Sequence, residues 1–303
     1  MASLHPAVLP HDGPKASGLT GRWQALVPFR PDSSVLPGFP LAMGLTLTAL
    51  SLIVLIPLTA LALKAGDLGF SGLWALLTTP RVLAALKLSF ALSFAAALVN
   101  LLFGVLIAWV LVRYDFIGRK WVDAAIDLPF ALPTAVAGIA LSALYAPNGW
   151  IGAVLARYGI KIGYTPTGIW VALVFIGIPF VVRMVQPVLQ EIESEIEEAA
   201  ALLGASRFQT AMRVLLPAIA PAAFTGFTLA FARAVGEYGS VIFIAGNVPM
   251  VSEIAPLLIV IKLEQYDYSG AAGVGLLMLA GSFAIILLAN AGLALWGRRH
   301  GHA

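Results

Sequence analysis

Six stretches of this chain are so long and so apolar that water cannot be their solvent. The clearest runs from Leu41 to Leu63, 23 residues without a charge. Roughly 20 such residues in a helix cross about 30 Å of hydrocarbon, where only the helix's own hydrogen bonds can satisfy its backbone. The other five are Leu88–Val112, Leu128–Tyr145, Gly168–Val182, Leu216–Ala245 and Gly270–Trp296. The third and fourth are short and contain Pro133 and Pro179, breaks that neighbouring helices can accommodate. Gly270, Gly273 and Gly275 allow close helix packing in the last. The expectation is an all-α polytopic membrane protein with six transmembrane helices over residues 41–297.

Only 11% of the residues are charged, against about 25% in soluble domains, so most of the chain is expected to face lipid or protein. Cysteine is absent, which excludes disulfides, thiolate metal sites and cysteine nucleophiles. The net charge of +3 is spread over short connections. That suits membrane lipid headgroups and lacks the clustered basic face of a nucleic-acid binder. Residues 1–40 are rich in Pro, Gly and polar residues and carry Lys15, Arg22 and Arg30. They read as a partly flexible cytoplasmic tail with an interfacial stretch around Trp23. The 23-residue run behind them is too long for a signal peptide's apolar region of about 7–15 residues.

Positive charge sets the orientation. Lys15, Arg22, Arg30, Arg113, Arg119, Lys120, Arg183, Arg207, Arg213, Arg298 and Arg299 fall on one side. Lys64, Arg81, Lys87, Arg157, Lys161 and Lys262 fall on the other, 11 against 6. Both termini, including the tail 298–303, are therefore expected in the cytoplasm. No internal repeat is visible, so the inverted-repeat signature of many secondary transporters is missing.

The connection between the fourth and fifth spans, residues 190–217, reads QEIESEIEEAAALLGASRFQTAMRVLLP. Its glutamates suit the first turns of a helix, where the macrodipole is positive. Ile192, Ile196, Ala199 or Ala200, and Leu203 recur at helical spacing as one apolar stripe. Gly204 can stop that helix in the left-handed conformation. Ser206 and Gln209 have the spacing of a capping box, so a second helix with the stripe Phe208, Met212, Leu215 starts at once. The spacing predicts a compact helix–turn–helix. A solvated acidic loop is the bland alternative for such a charge run.

This segment resembles the EAA loop of ABC importer permeases: E-A-A, three residues, G, nine residues, I, one residue, L-P. Glu198-Ala199-Ala200 is followed by Gly204, then Val214 in place of Ile, then Leu216-Pro217. The resemblance implies a type I ABC importer permease fold with a cytoplasmic coupling helix that docks on an ATPase subunit. Glu198, Ala199, Ala200 and Gly204 are then the coupling residues. None of the six lysines precedes Ser or Thr, so the chain has no phosphate-binding loop. ATP and Mg must be bound by a partner, and no cofactor is expected in this chain.

Two further runs resemble the T-type permease subunit of sulfate/thiosulfate importers: Leu132 to Leu141, and Phe231 to Ala271. Molybdate permeases share the elements Gly236-Glu237-Tyr238-Gly239 and Ala245-Gly246-Asn247. The runs Ser252 to Leu257 and Lys262 to Tyr268 look specific to the sulfate subunit. The resemblance spans about residue 36 to residue 297. It implies a bacterial inner-membrane heterodimer with a W-type permease, an ABC ATPase dimer and a periplasmic sulfate/thiosulfate-binding protein, working by alternating access.

Arg233 and Glu237 are four apart and share a helical face. Ionisable groups within a span usually point inward and pair, so the two are either an element of the anion path or an ion pair that fixes packing. Tyr238, Ser240 and Asn247 are neutral donors nearby and complete the translocation-path candidates. Lys87 is expected to start the second span and snorkel, Asn100 and Asn290 to bond between helices, and Trp150, Tyr164 and Trp170 to anchor at the interface. The four histidines lie in the tails. The rival readings are a molybdate or tungstate ABC permease, and a stand-alone channel or secondary transporter, against which the EAA segment speaks. An intramembrane enzyme would need a catalytic motif, and neither G-x-S-x-G nor H-E-x-x-H is present.

Overall fold

The computed structural model describes residues 38–299. The expected tail up to residue 37, with Trp23, and all four histidines lie outside the described residues. Two compact units are distinguished, Met1–Ile56 and Pro57–Ala303. In the first, the described residues form α1 (Phe39–Leu50) and a π turn, Ser51–Leu55. The packing described below belongs to the second.

The chain continues with α2 (Ile56–Gly66), α3 (Gly69–Thr78), α4 (Pro80–Arg113), α5 (Arg119–Ile126), α6 (Leu128–Ala131), α7 (Thr134–Tyr145), α8 (Trp150–Arg157), α9 (Pro166–Glu191) and α10 (Ser194–Leu202). Then come α11 (Arg207–Val235), which contains a π turn at Ala211–Leu215, α12 (Val241–Ile244), α13 (Ala255–Glu264) and α14 (Tyr268–Arg299). No strand occurs among the described residues. Among the described residues, six helical spans are long and apolar enough to cross a membrane: Leu41–Gly66, Pro80–Arg113, Thr134–Arg157, Pro166–Glu191, Arg207–Val235 and Tyr268–Gly292. Pro80 and Pro166 start α4 and α9 behind Thr79 and Thr165. Proline is favoured there because its missing N–H has no partner to lose in a first turn.

The core is the three-helix contact of α4, α9 and α11. Val181 of α9 is the wedge between them. A Cβ on Gly104 of α4 would lie 2.6 Å from Val181 Cβ, and one on Gly226 of α11 would lie 2.8 Å from Val181 Cα. Both positions need glycine for the helices to reach this separation. Around the wedge, Val182, Val185, Leu189, Ile219, Ala230 and Phe231 are buried. Arg113 donates to Ile192 O, the Tyr164 N–H donates to Ile244 O, and Arg81 bonds to Glu253. Connections 114–133 and 192–206 therefore share one end of the bundle, the Gly204 end. Connections 67–79, 158–165 and 236–267 share the other, the Glu253 end.

The structure corrects four boundaries. The fifth span stops at Val235 rather than Ala245, because Gly236 turns the chain and Glu237 to Ser240 form a hydrogen-bonded turn. The third starts at Thr134 rather than Leu128: Leu132 and Pro133 are extended, and the span continues through α8 after a break at residues 146–149. Lys87 lies inside α4, about two turns past its start at Pro80. Ile192 sits in the extended link before α10 and not on the expected stripe. Among the expected interfacial residues, Trp150 and Tyr164 are exposed, whereas Trp170 packs in an apolar cluster with Ile169 and Leu173.

Candidate functional site

At the Gly204 end, α9 gives way to two extended residues, Ile192 and Glu193, and α10 begins with Glu195 and Glu197 in its first turn. The helix is closed by Gly204 at φ +82°. The Ala205 N–H donates to Ala200 O at 3.0 Å and the Gly204 N–H to Ala201 O at 2.9 Å. These two bonds form the reversal that a left-handed glycine permits. The next helix starts three residues later, at Arg207. The Ser206 N–H donates to Gln209 Oε1 at 2.8 Å, and the Gln209 N–H donates to Ser206 Oγ at 3.3 Å, the reciprocal bonds of a capping box. This second helix is not a free-standing partner in a helix–turn–helix. It runs through the π turn into α11 and is the first turn of the fifth span.

Arg113, at the end of α4, ties α10 to the bundle. Its Nη2 lies 2.7 Å from Glu197 Oε1 and donates to Ile192 O at 3.2 Å. The outer surface is uncovered. Leu202 and Leu203 are each 89% exposed and Phe208 is also exposed. Glu198, Ala199 and Gly204 are exposed and Ala200 is half-buried. Among the described residues, chain neighbours apart, no atom lies within 4 Å of a Cβ built on Gly204. The four sequence-selected coupling residues thus share one short helix and its terminus, beside an apolar tip with nothing on it.

The same end holds a network that the sequence reading missed. Arg183 of α9 donates from Nε and Nη2 to the two carboxylate oxygens of Asp127, at 2.8 and 2.6 Å. Nη1 reaches Asp123 Oδ1 at 2.7 Å and Gln186 Oε1 at 2.6 Å, and Nη2 also reaches Asp123 O at 2.9 Å. All five guanidinium N–H groups are engaged. Asp123 lies in α5 and Asp127, four residues on, is the junction between α5 and α6. That i, i+4 spacing was the available signal.

At the Glu253 end two carboxylates are buried. Glu237 pairs with Arg233, as its spacing foretold. Its Oε1 accepts from the Ser240 N–H at 2.9 Å and from Ser240 Oγ at 3.0 Å. Gly138 of α7 packs directly on the Ser240 backbone, 2.7 Å from its Cα to a would-be Cβ. Arg233, Glu237 and Ser240 therefore come together. Ser240 is fully buried, so its side chain is not open, and Tyr238 is half-buried against an apolar cluster. Asn247 stands apart, exposed, with φ +50° in the turn after α12. The second carboxylate, Glu253, has a side-chain exposure of 0%. Arg81 grips it in a fork, Nε to Oε2 at 2.8 Å and Nη2 to Oε1 at 2.6 Å. Beside it Ser89 Oγ accepts from the Ala255 N–H at 2.8 Å and caps α13. Nothing local in the sequence links Arg81 to Glu253, because 172 residues separate them.

Among the described residues, neither Asn100 nor Asn290 forms the expected interhelical bond. Asn290 is exposed. Asn100 is buried against Gly177, with neither side-chain polar atom bonded.

A family model described as the binding-protein-dependent transport system inner membrane component matches residues 100–300. The chain belongs to this family, a class of multi-pass permease subunits. Curated relatives narrow the membership to its sulfate-transport branch. The "Sulfate transport system permease protein CysT" of Escherichia coli (strain K12) is 46% identical over 265 residues, covering 88% of this chain and 96% of its own length. The protein of the same description from Synechococcus elongatus is 51% identical over 251 residues, covering 83% and 90%. In fold, the chain is similar to a bacterial ABC transporter involved in the import of the acidic polysaccharide alginate. The TM-score is 0.69 at 18% sequence identity, covering 83% of this chain and 93% of that one.

Proposed function

We propose that this chain is the T-type half of a sulfate/thiosulfate importer. In this reading it pairs with a W-type permease, receives substrate from a periplasmic binding protein and is driven by an ABC ATPase dimer. Its Gly204 end faces the cytoplasm and its Glu253 end the periplasm. The substrate class rests on the named relatives. The coupling role rests on one observation: a capped, acidic helix whose apolar tip, Leu202 and Leu203, stands uncovered. Helix-in-groove recognition offers a partner such a face.

The route of force follows from the bonds. A push on α10 passes through Glu197 to Arg113 and α4. It also passes through Gly204 and the Ser206 cap into α11. The helix is rigid at both ends of that joint, so little motion is lost in it. The Arg233–Glu237–Ser240 group stabilises the far end of α11. In this reading it sets packing instead of binding the passing anion, because Ser240 and Arg233 already satisfy Glu237.

Uptake of labelled sulfate by the reconstituted complex, with thiosulfate and molybdate as competitors, tests the substrate class. Displacement by thiosulfate but not by molybdate is expected, and the reverse overturns the sulfate reading. Gly204→Asp and Glu198→Lys test coupling. Both variants should insert normally yet lose at least about tenfold of substrate-stimulated ATP hydrolysis, the equivalent of about 1.4 kcal/mol. Unchanged stimulation in both would leave a solvated loop.

A further inference from the structure

We propose that Tyr114–Val122, at the Gly204 end, is an interfacial foot that seats an anionic phospholipid of the surrounding bilayer. The depth comes from α4. Between Lys87 and Arg113 its 25 residues, 88–112, carry no charge. At about 1.5 Å per residue they span about 37 Å, enough to cross a core of about 30 Å with some tilt. The hydrocarbon edge therefore falls near Arg113, and the foot begins one residue later.

There the chain exposes the residues that a water-facing turn would bury. Tyr114 and Val122 are exposed, Trp121 is 82% exposed and Ile117 stands fully clear. Gly118, at φ +93°, turns the chain so that Ile117 forms the tip and α5 starts at Arg119. An aromatic ring beside an aliphatic tip is the composition of a membrane–water boundary.

The charges match. Arg119 is held by Asp115 at 2.7 Å. Lys120 is exposed and makes no ion pair or hydrogen bond among the described residues. Next to it a cavity of about 820 Å³ opens toward the end of α9, where Gln186 and Gln190 line it. The two carboxylates on its wall each have a cationic partner, Asp115 in Arg119 and Asp123 in Arg183, which Asp123 shares with Asp127, so neither claims Lys120. A phosphodiester headgroup bearing hydroxyls fits this chemistry. Lys120 takes the phosphate, the glutamine amides take the hydroxyls, and the acyl chains run back along the apolar face of α4. The acidic α10 at the same end has the opposite character and would repel such a lipid.

The chain has no cysteine, so Ile117→Cys accepts a single nitroxide label. The labelled full chain in phosphatidylethanolamine/phosphatidylglycerol bilayers is expected to be relaxed by oxygen and shielded from a water-soluble nickel chelate. A label at Leu203→Cys is expected to behave in the opposite way. Phosphatidylglycerol carried through detergent extraction, counted by native mass spectrometry, should fall about fivefold in Lys120→Gln, the effect of one cation near a charged surface. All three positions are exposed, so the substitutions disturb no packed core. A water-accessible label at residue 117 overturns the proposal, as does equal lipid retention by Lys120→Gln. A label shielded only after ATPase subunits are added also overturns it and assigns the foot to that partner.

Discussion

The two ends of the bundle are locked by arginine forks that look alike and differ in what they protect. At the Glu253 end the carboxylate is sealed inside and the arginine is half-exposed: Glu253 has 0% side-chain exposure, Arg81 39%. At the Gly204 end Arg183 meets Asp123 and Asp127, which keep 40% and 48% of their side-chain surface in solvent. Geometry makes both pairs strong, since bidentate guanidinium–carboxylate bonds are the best of their kind. Burial makes their failure unequal. A carboxylate left alone in the core has no water to turn to, whereas an accessible one is rehydrated.

The largest effect should therefore come from Arg81→Ala. Stranding Glu253 is expected to cost about 3–5 kcal/mol, and Arg81→Leu with Glu253→Leu should recover most of it. Thermal stability of the detergent-solubilised protein, followed by fluorescence-detected gel filtration, gives the answer. A double variant no better than the single would mean that the fork contributes only shape.

Arg233→Ala sharpens the comparison within one end. Glu237 keeps two donors from Ser240 after the arginine is gone, so the loss should be smaller, about 1.5–3 kcal/mol, the usual worth of one charged hydrogen bond. Adding Ser240→Ala takes away the Oγ donor but leaves the backbone N–H, so Glu237 should move only part of the way toward a stranded Glu253. If Arg233→Ala and Arg81→Ala destabilise equally, retained hydrogen bonds do not protect a buried carboxylate here.

Arg183→Lys comes next. It removes the fork but leaves a cation facing two accessible aspartates, so a loss of about 1 kcal/mol is expected. The same melting assay reads it. A loss as large as that of Arg81→Ala would show that accessibility is not what separates the two ends.

The smallest effect belongs to Asp267, just before α14. The Lys262 ammonium at 2.8 Å, and after it the Gly270 N–H, hold its carboxyl below the usual range. A depressed folded-state pKa contributes stability that is complete above the unfolded carboxylate value, about 4, and is lost as pH falls through the folded value. The pair is half-exposed, so less than about 1 kcal/mol is expected. Wild type should melt slightly above Asp267→Asn at neutral pH and converge with it as pH falls from about 4 through the lower folded value. A gap that persists in acid would place the effect in packing.

What the sequence made legible follows the same division between local and distant. The Gly204 stop and the Ser206–Gln209 cap were readable because every partner lies within a few residues, and helix termini are local events. The Arg233–Glu237 pair was readable for the same reason. The fork from Arg81 to Glu253 was not, because only the packed fold brings α4 beside the α13 cap. The fifth span was drawn too long because Val241 to Ala245 are apolar. Hydropathy cannot tell a span from a short helix buried next to it. The third was misplaced because Leu128–Ala131 is apolar but ends at an extended Leu132–Pro133, as the residue before a proline prefers.

The π turn at Ala211–Leu215, between the proposed coupling helix and the fifth span, carries one residue more than an α-helix has room for. Each residue of an α-helix is worth about 100° of winding. The faces of Arg207–Thr210 and of Leu216–Val235 are therefore set out of phase by roughly that angle. Shedding or passing on the surplus residue would rotate one face against the other in a single step. In the proposed coupling role this joint would meter torque, where the capped turn beside it would transmit only thrust.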